Sequence, residues 1–126
     1  MRNTKYVKHW IFLTVIYMAA LLAFSLKPVV REYEPSAIQE AAHNFLHVPA
    51  YVILTVLLIK IFMVQSRKLW ERAAVLAFVL AFAYGLGIEF LQGLIPGRNP
   101  SLLDVVLNSI GAGIGILSTK RKKDIT

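Results

Sequence analysis

The chain has 126 residues, of which 57% are hydrophobic, and its mean hydropathy is +0.61. Soluble domains are usually about 45–50% apolar, so this composition predicts a single all-α, polytopic membrane domain over residues 1–126. The absence of cysteine excludes disulfides and thiolate metal sites. The net charge of +7 does not predict a nucleic-acid partner here, because the basic residues cluster at the ends of apolar segments, where they act as an orientation signal.

Four apolar segments predict transmembrane helices, at about residues 7–26, 49–64, 73–94 and 101–117. The first segment also fits a signal peptide, with a basic start and a small-x-small site ending at Ser25. Its length favours an uncleaved first helix, and the other three segments need a fourth packing partner.

A short amphipathic helix is predicted at about residues 36–47, before the second membrane helix. Ser36 and Gln39 have the spacing of a capping box, and the apolar residues that follow fall on one helical face. We expect this helix to lie at the membrane surface. Pro49 is expected to bend or restart the helix, because proline lacks the N–H that a helix interior uses.

The Lys and Arg residues predict the orientation of the chain. Four crossings put both termini and the 65–72 loop on one side, and eleven of the fourteen Lys and Arg residues fall on that side. Cytoplasmic flanks carry such an excess. We therefore expect a plasma-membrane protein with both termini in the cytoplasm and with loops 27–48 and 93–100 facing outward.

A set of polar residues interrupts the third and fourth segments near the outward side: Glu89, Gln92, Arg98, Ser101, Asp104 and Asn108. Polar residues within membrane segments are costly and tend to be functional. His47 and Tyr51 stand at the start of the second segment, in line with His43 and Thr55 at a spacing of four. These residues are expected to meet in one outward-facing site.

Small residues recur every four positions along the third segment and end at Gly85, one turn before Glu89. Gly111 and Gly115 form a GxxxG pair in the fourth. Small-residue stripes let membrane helices approach closely. We expect the two stripes to pack against each other at the inner half and the helices to separate around the polar residues; homodimerisation through GxxxG is the alternative.

Each polar residue also has a structural interpretation. Glu89 can be an acid, a base or a ligand carboxylate, or it can pair with Arg98 or Gln92. Asp104 can complete a capping box with Ser101. Asn108 can hold helices together. Arg98 can grip a phosphate or carboxylate, or it can be solvated.

His43 and His47 have the i, i+4 spacing of some zinc sites, but position 44 is Asn, and spacing identifies no third ligand. His47 can otherwise be a core histidine or a proton donor. We therefore assign no metal and no cofactor.

The polar positions from Glu89 to Gly115, together with His47 and Tyr51, resemble the VanZ-like family in order and spacing. The resemblance covers roughly residues 36–117. It implies a small multi-pass bacterial membrane protein, and the family takes its name from a member linked to teicoplanin resistance. The family often has an Asp-Lys pair where this chain has His43 and Asn44, so a role of that pair is not implied here.

Three functions are consistent with these residues. The first is binding or modification of an amphipathic, lipid-linked envelope molecule, with Arg98 at an anionic head group. The second is an intramembrane hydrolase or transferase, with Glu89 or His47 as general base and Tyr51 or Asp104 as assisting acid. The third is an assembly partner in which the cluster serves only helix packing. The ligand and the oligomeric state stay open.

Overall fold

The computed structural model describes residues 4–26, 36–63, 70–96 and 101–120, and these form a helical bundle without any strand. The helices are α1 (Thr4–Ser25), α2 (Ala37–Phe45), α3 (His47–Met63), α4 (Trp70–Gln92) and α5 (Leu102–Thr119). Four segments are long and apolar enough to cross a membrane: Lys5–Ser25, Ala37–Met63, Trp70–Gln92 and Leu102–Thr119. The predicted polytopic, all-α fold class is confirmed.

The short helix α2 begins with the predicted capping box. The Ser36 hydroxyl accepts from the Gln39 N–H at 3.2 Å, and the Gln39 side chain accepts from the Ser36 N–H at 3.0 Å. One residue, Leu46, separates α2 from α3, and its backbone is itself helical. The short helix is therefore only loosely distinct from the membrane segment that follows it. Pro49 lies in the first turn of α3, where a missing N–H costs little.

The bundle places small residues inside and large apolar residues outside. On α4, Ala73, Ala77 and Ala81 are buried, whereas Val75 and Val79 are more than half exposed. A soluble helix would bury its large apolar residues instead. Because lipid solvates apolar side chains, close backbone approach becomes the main gain on helix packing, which explains this arrangement.

Gly111 and Gly115 pack against α3, not against the small-residue stripe of α4. A Cβ on Gly111 would lie 2.3 Å from the Val48 carbonyl oxygen, and one on Gly115 would lie 2.9 Å from that of Val52. The expected stripe-to-stripe packing is therefore wrong for these glycines. The large core side chains Leu54 and Ile59 are on α3, and the glycines of α5 leave room for its backbone. Contact with α3 also covers the GxxxG face that homodimerisation would need.

Helix α1 is attached to the bundle by three polar contacts to backbone carbonyl oxygens. The Tyr17 hydroxyl donates to Ala50 at 2.6 Å, and Gln92 Nε2 donates to Ser25 at 2.8 Å. The Tyr84 hydroxyl donates to the carbonyl of Met18. These contacts pack α1 as an integral helix of the bundle.

The helix ends sort into two groups. The start of α3, the end of α4 and the start of α5 meet near the end of α1, as the contact between Gln92 and Ser25 shows. At the opposite end, Trp70 Nε1 donates to Thr119 Oγ1 at 3.2 Å, which joins the start of α4 to the end of α5. The first group of helix ends carries nearly all the polar residues discussed below.

Candidate functional site

Seven of the eight residues predicted to bind a ligand lie at one end of the bundle: His47, Tyr51, Glu89, Gln92, Ser101, Asp104 and Asn108. Five of these interact directly, and we call them the polar cluster: His47, Glu89, Ser101, Asp104 and Asn108. The eighth, Arg98, lies outside the described residues.

The helices do not separate around the polar cluster. Glu89 and Asn108 are 5% and 3% exposed, and Gln92 is equally buried. The expectation that α4 and α5 diverge here is wrong. The physical reason is that these polar groups find partners between the helices, and burying paired polar groups costs far less than burying unpaired ones.

At the start of α5, Glu89 accepts the backbone N–H that the sequence spacing assigns to Asp104. Ser101 caps this helix, and its hydroxyl accepts from the Asp104 N–H at 3.4 Å. In a full capping box the Asp104 carboxylate would accept the Ser101 N–H. That N–H donates instead to Oε2 of Glu89, at 3.0 Å. The carboxylate of Asp104 is thereby left to face other groups.

His47 lies between Asn108 and Asp104. Its Nδ1 is 2.8 Å from the Asn108 amide oxygen. An amide oxygen only accepts, so Nδ1 carries the hydrogen of this bond. Nε2 faces Oδ2 of Asp104 at 3.7 Å, which is an electrostatic contact and too long for a hydrogen bond. Asn108 thus sets which imidazole nitrogen faces the carboxylate.

Glu89 and Asp104 both lie at the start of α5, where Ser101 bonds to each residue. Oε1 of Glu89 and Oδ1 of Asp104 are both buried, and neither has a hydrogen-bond donor among the described residues. Buried polar atoms are nearly always hydrogen-bonded, so two adjacent acceptors without a donor are unusual. The polar cluster is therefore rich in acceptors and short of donors.

Gly85 provides the space in which Asn108 and Tyr51 meet α4. A Cβ at position 85 would lie 2.9 Å from Asn108 Nδ2 and 3.3 Å from the Tyr51 hydroxyl oxygen. Tyr51 is 3% exposed. Gly85 was predicted to serve helix packing, and its contacts show that this packing also seats a polar residue of the cluster.

Three predicted or candidate residues lie apart from the polar cluster. Gln92 is bonded to the end of α1, so its visible role is to join α1 to α4. Thr55 is fully buried and lies four residues after Tyr51 on α3. His43 is exposed, with its ring centroid 6.2 Å from that of His47. Within the described ranges, no three His, Cys, Asp or Glu side chains are arranged to hold a metal ion.

The sequence did not single out Tyr17, Tyr84 and Ser25, which attach α1 near the site. Tyrosine is common in apolar segments and near membrane interfaces, so its position alone does not mark a buried hydrogen bond. A backbone carbonyl such as that of Ser25 has no sequence signal at all.

The fold and the site define a multi-pass helical membrane protein with a buried polar cluster at one end of its bundle. The chain belongs to the VanZ/LLP1 family, whose family model matches residues 10–123. This match extends from α1 to the tail beyond α5, and it confirms the resemblance seen in the polar positions. No curated protein and no solved structure matches the chain significantly.

Proposed function

We propose that this protein binds the polar head of an amphipathic, lipid-linked envelope molecule at the outer face of the plasma membrane. The observation that carries the proposal is the buried carboxyl of Glu89, whose Oε1 has no donor among the described residues. An unsatisfied buried polar group costs on the order of 1–3 kcal/mol, and more when it is charged. A head group that supplies a donor would recover this cost, and lipid tails would lie along the apolar outer surface of the helices.

The charge distribution supports the outward orientation. Five of the fourteen Lys and Arg residues are described: Lys5, Lys8, Lys60, Arg72 and Lys120. All five lie at the helix ends opposite the polar cluster. Because cytoplasmic flanks carry an excess of basic residues, this distribution supports an orientation with that end inside, both termini in the cytoplasm and the polar cluster outside.

In this proposal, Arg98 contacts the head group. It belongs to the four-residue link, 97–100, between the described end of the α4 turn and the Ser101 cap of α5. A guanidinium in that link would be the contact for a phosphate or carboxylate on the head group. Asn108 and His47 would orient the ligand by hydrogen bonds.

The experiment combines lipid identification with a phenotype. Protein released from its native membrane is analysed by native mass spectrometry for a bound amphiphile. In parallel, Glu89→Gln and Arg98→Ala are returned to a strain that lacks the gene, and teicoplanin sensitivity and envelope lipid composition are measured; Glu71→Gln, at the opposite end of α4, is the control. We expect a bound amphiphile, and we expect both site variants to alter the phenotype. A strain carrying either site variant that behaves as the Glu71→Gln strain does contradicts the proposal.

A second candidate is an intramembrane hydrolase or transferase. The observation in its favour is His47, with Nδ1 held by Asn108 and Nε2 turned towards Asp104. Nε2 or Glu89 would accept the proton of an attacking water or hydroxyl group, and Asp104 or Tyr51 would donate to the leaving group. Purified protein incubated with lipid-linked cell-wall precursors tests this, since catalysis requires a new product in the mass spectrum that a His47→Gln variant does not form.

The purely structural alternative predicts a different result for variants of the polar cluster. If the polar cluster only packs helices, its variants lower stability, and restoring their expression level restores the phenotype in full. Double-mutant cycles on His47 and Asn108, scored for both stability and phenotype, separate the two roles.

A further inference from the structure

We propose that Glu89 and Asp104 form the acceptor pair for a primary ammonium group on the head of the bound amphiphile. This inference rests on the proposed function and specifies its ligand class. It starts from two buried oxygens, Oε1 of Glu89 and Oδ1 of Asp104, that lack donors within the described part of the chain. Of the other two oxygens, Oε2 of Glu89 accepts the Ser101 N–H, whereas Oδ2 of Asp104 faces Nε2 of His47 at 3.7 Å, which is too far for a hydrogen bond.

The electrostatics of the polar cluster favour a cation over a neutral donor. Two residues with carboxyl groups are joined through Ser101 at the start of α5, and Glu89 is 5% exposed. The described Lys and Arg residues all lie at the opposite end of the bundle, so none of them balances this pair. Buried charges require a partner of opposite charge or a proton.

The number of acceptors matches a primary ammonium. Because Nδ1 of His47 donates to Asn108, Nε2 of the neutral ring is an acceptor. It stands 3.7 Å from Oδ2 of Asp104, on the carboxyl whose Oδ1 lacks a donor within the described residues. A primary ammonium has three N–H donors, whereas a quaternary ammonium has the same charge and none. The polar cluster would therefore discriminate between ammonium groups by the number of N–H donors that each one carries.

Two side chains of the polar cluster are partly exposed. The side chains of His47 and Asp104 are 15% and 14% exposed, in contrast to the nearly inaccessible Glu89. An ammonium group would enter past these two side chains.

The test uses the intact protein in detergent and an equimolar mixture of three phospholipids with identical acyl chains. These are phosphatidylethanolamine, phosphatidylcholine and phosphatidylglycerol, and the bound lipid is measured by native mass spectrometry. We expect the ethanolamine lipid to be retained in preference to both others. Loss of one charge-assisted hydrogen bond corresponds to about a tenfold loss of retention, which we expect for Glu89→Gln and for Asp104→Asn. Glu71→Gln should retain the lipid as the native chain does.

N-acetylated phosphatidylethanolamine provides a measurement that needs no variant, because acetylation removes the charge and two of the three hydrogens. We expect the native protein to reject it. Equal retention of the choline, glycerol or N-acetylated lipid overturns the ammonium assignment. If an amphiphile without an amine is retained and Glu89→Gln releases it, the proposed function stands and only the ligand class is wrong. If the native protein retains no amphiphile, either here or from its own membrane, the proposed function itself fails.

Discussion

The backbone N–H of Ser101 donates to Oε2 of Glu89 at 3.0 Å, which joins the cap of α5 to the last turns of α4. A capping box takes both of its side chains from one helix. Here the second acceptor comes from the preceding helix, so the cap of α5 depends on how α4 and α5 pack. The carboxyl of Glu89 thus stabilises the helix start with Oε2, while its Oε1 has no donor among the described residues.

This relationship predicts different effects for two substitutions of Glu89. Glu89→Gln keeps an oxygen that can accept the Ser101 N–H, so the midpoint of thermal unfolding in detergent should stay close to that of the native chain. Glu89→Leu leaves that N–H without an acceptor and should cost about 1–3 kcal/mol of stability. Equal midpoints for the two variants would show that this hydrogen bond does not support the fold.

The two glycines Gly111 and Gly113 form a matched pair on α5. A Cβ at position 111 would lie 2.3 Å from the Val48 carbonyl oxygen, whereas one at position 113 meets nothing within 4 Å. We expect Gly111→Ala to force α5 away from α3 and to cost about 1–3 kcal/mol. Gly113→Ala should leave stability unchanged or raise it slightly, because alanine favours a helix over glycine. Thermal unfolding measures both, and a tolerated Gly111→Ala would contradict this packing.

Gly85→Ala should disturb the polar cluster without replacing any of its five residues. The added methyl would press on Asn108 Nδ2, 2.9 Å away, and weaken the hydrogen bond from His47 Nδ1. We expect nitrogen NMR of His47 to show that Nδ1 no longer holds its hydrogen in one tautomer. Gly87→Ala is the control, since a Cβ there has no neighbour within 4 Å. Identical His47 signals in the two variants would contradict the role of Gly85.

The hydroxyl of Tyr17 should hold α1 to the bundle. It donates to the carbonyl of Ala50 at 2.6 Å, and Tyr17→Phe removes only this bond. A net loss of about 1 kcal/mol is expected, together with faster amide hydrogen exchange in α1. Tyr6, which is 60% exposed on the same helix, is the matched control as Tyr6→Phe. Unchanged exchange in α1 of the Tyr17→Phe variant would mean that other contacts hold the helix.

Much of the fold follows from local sequence patterns. The apolar lengths predict four crossings, and the capping box at Ser36 and Gln39 forms as its spacing indicates. Pro49 stands where one helix gives way to the next, because its missing N–H is tolerated only in a first turn. These features depend on residues within a few positions of each other, so no tertiary information is needed to predict them.

The choice of packing partner does not follow from the sequence. A glycine pair predicts close approach to some helix, but the sequence pattern does not say which one, and Gly111 and Gly115 meet α3 instead of α4. The same holds for Ser101 and Asp104, whose spacing allows a local capping box. A carboxylate from α4 competes for the Ser101 N–H, and its position depends on the whole bundle.

The sequence by itself determined that this is a four-crossing, VanZ-like membrane protein whose polar residues gather in its last two helices. Hydrophobicity, helix capping and charge bias act locally, so they can be read along the chain. Only the tertiary structure decided that Glu89 and Asn108 are buried, that Asn108 orients His47, and that Glu89 and Asp104 keep two acceptor oxygens without a donor among the described residues. Those outcomes depend on distances of a few ångströms between side chains on different helices, and spacing along one helix does not specify them.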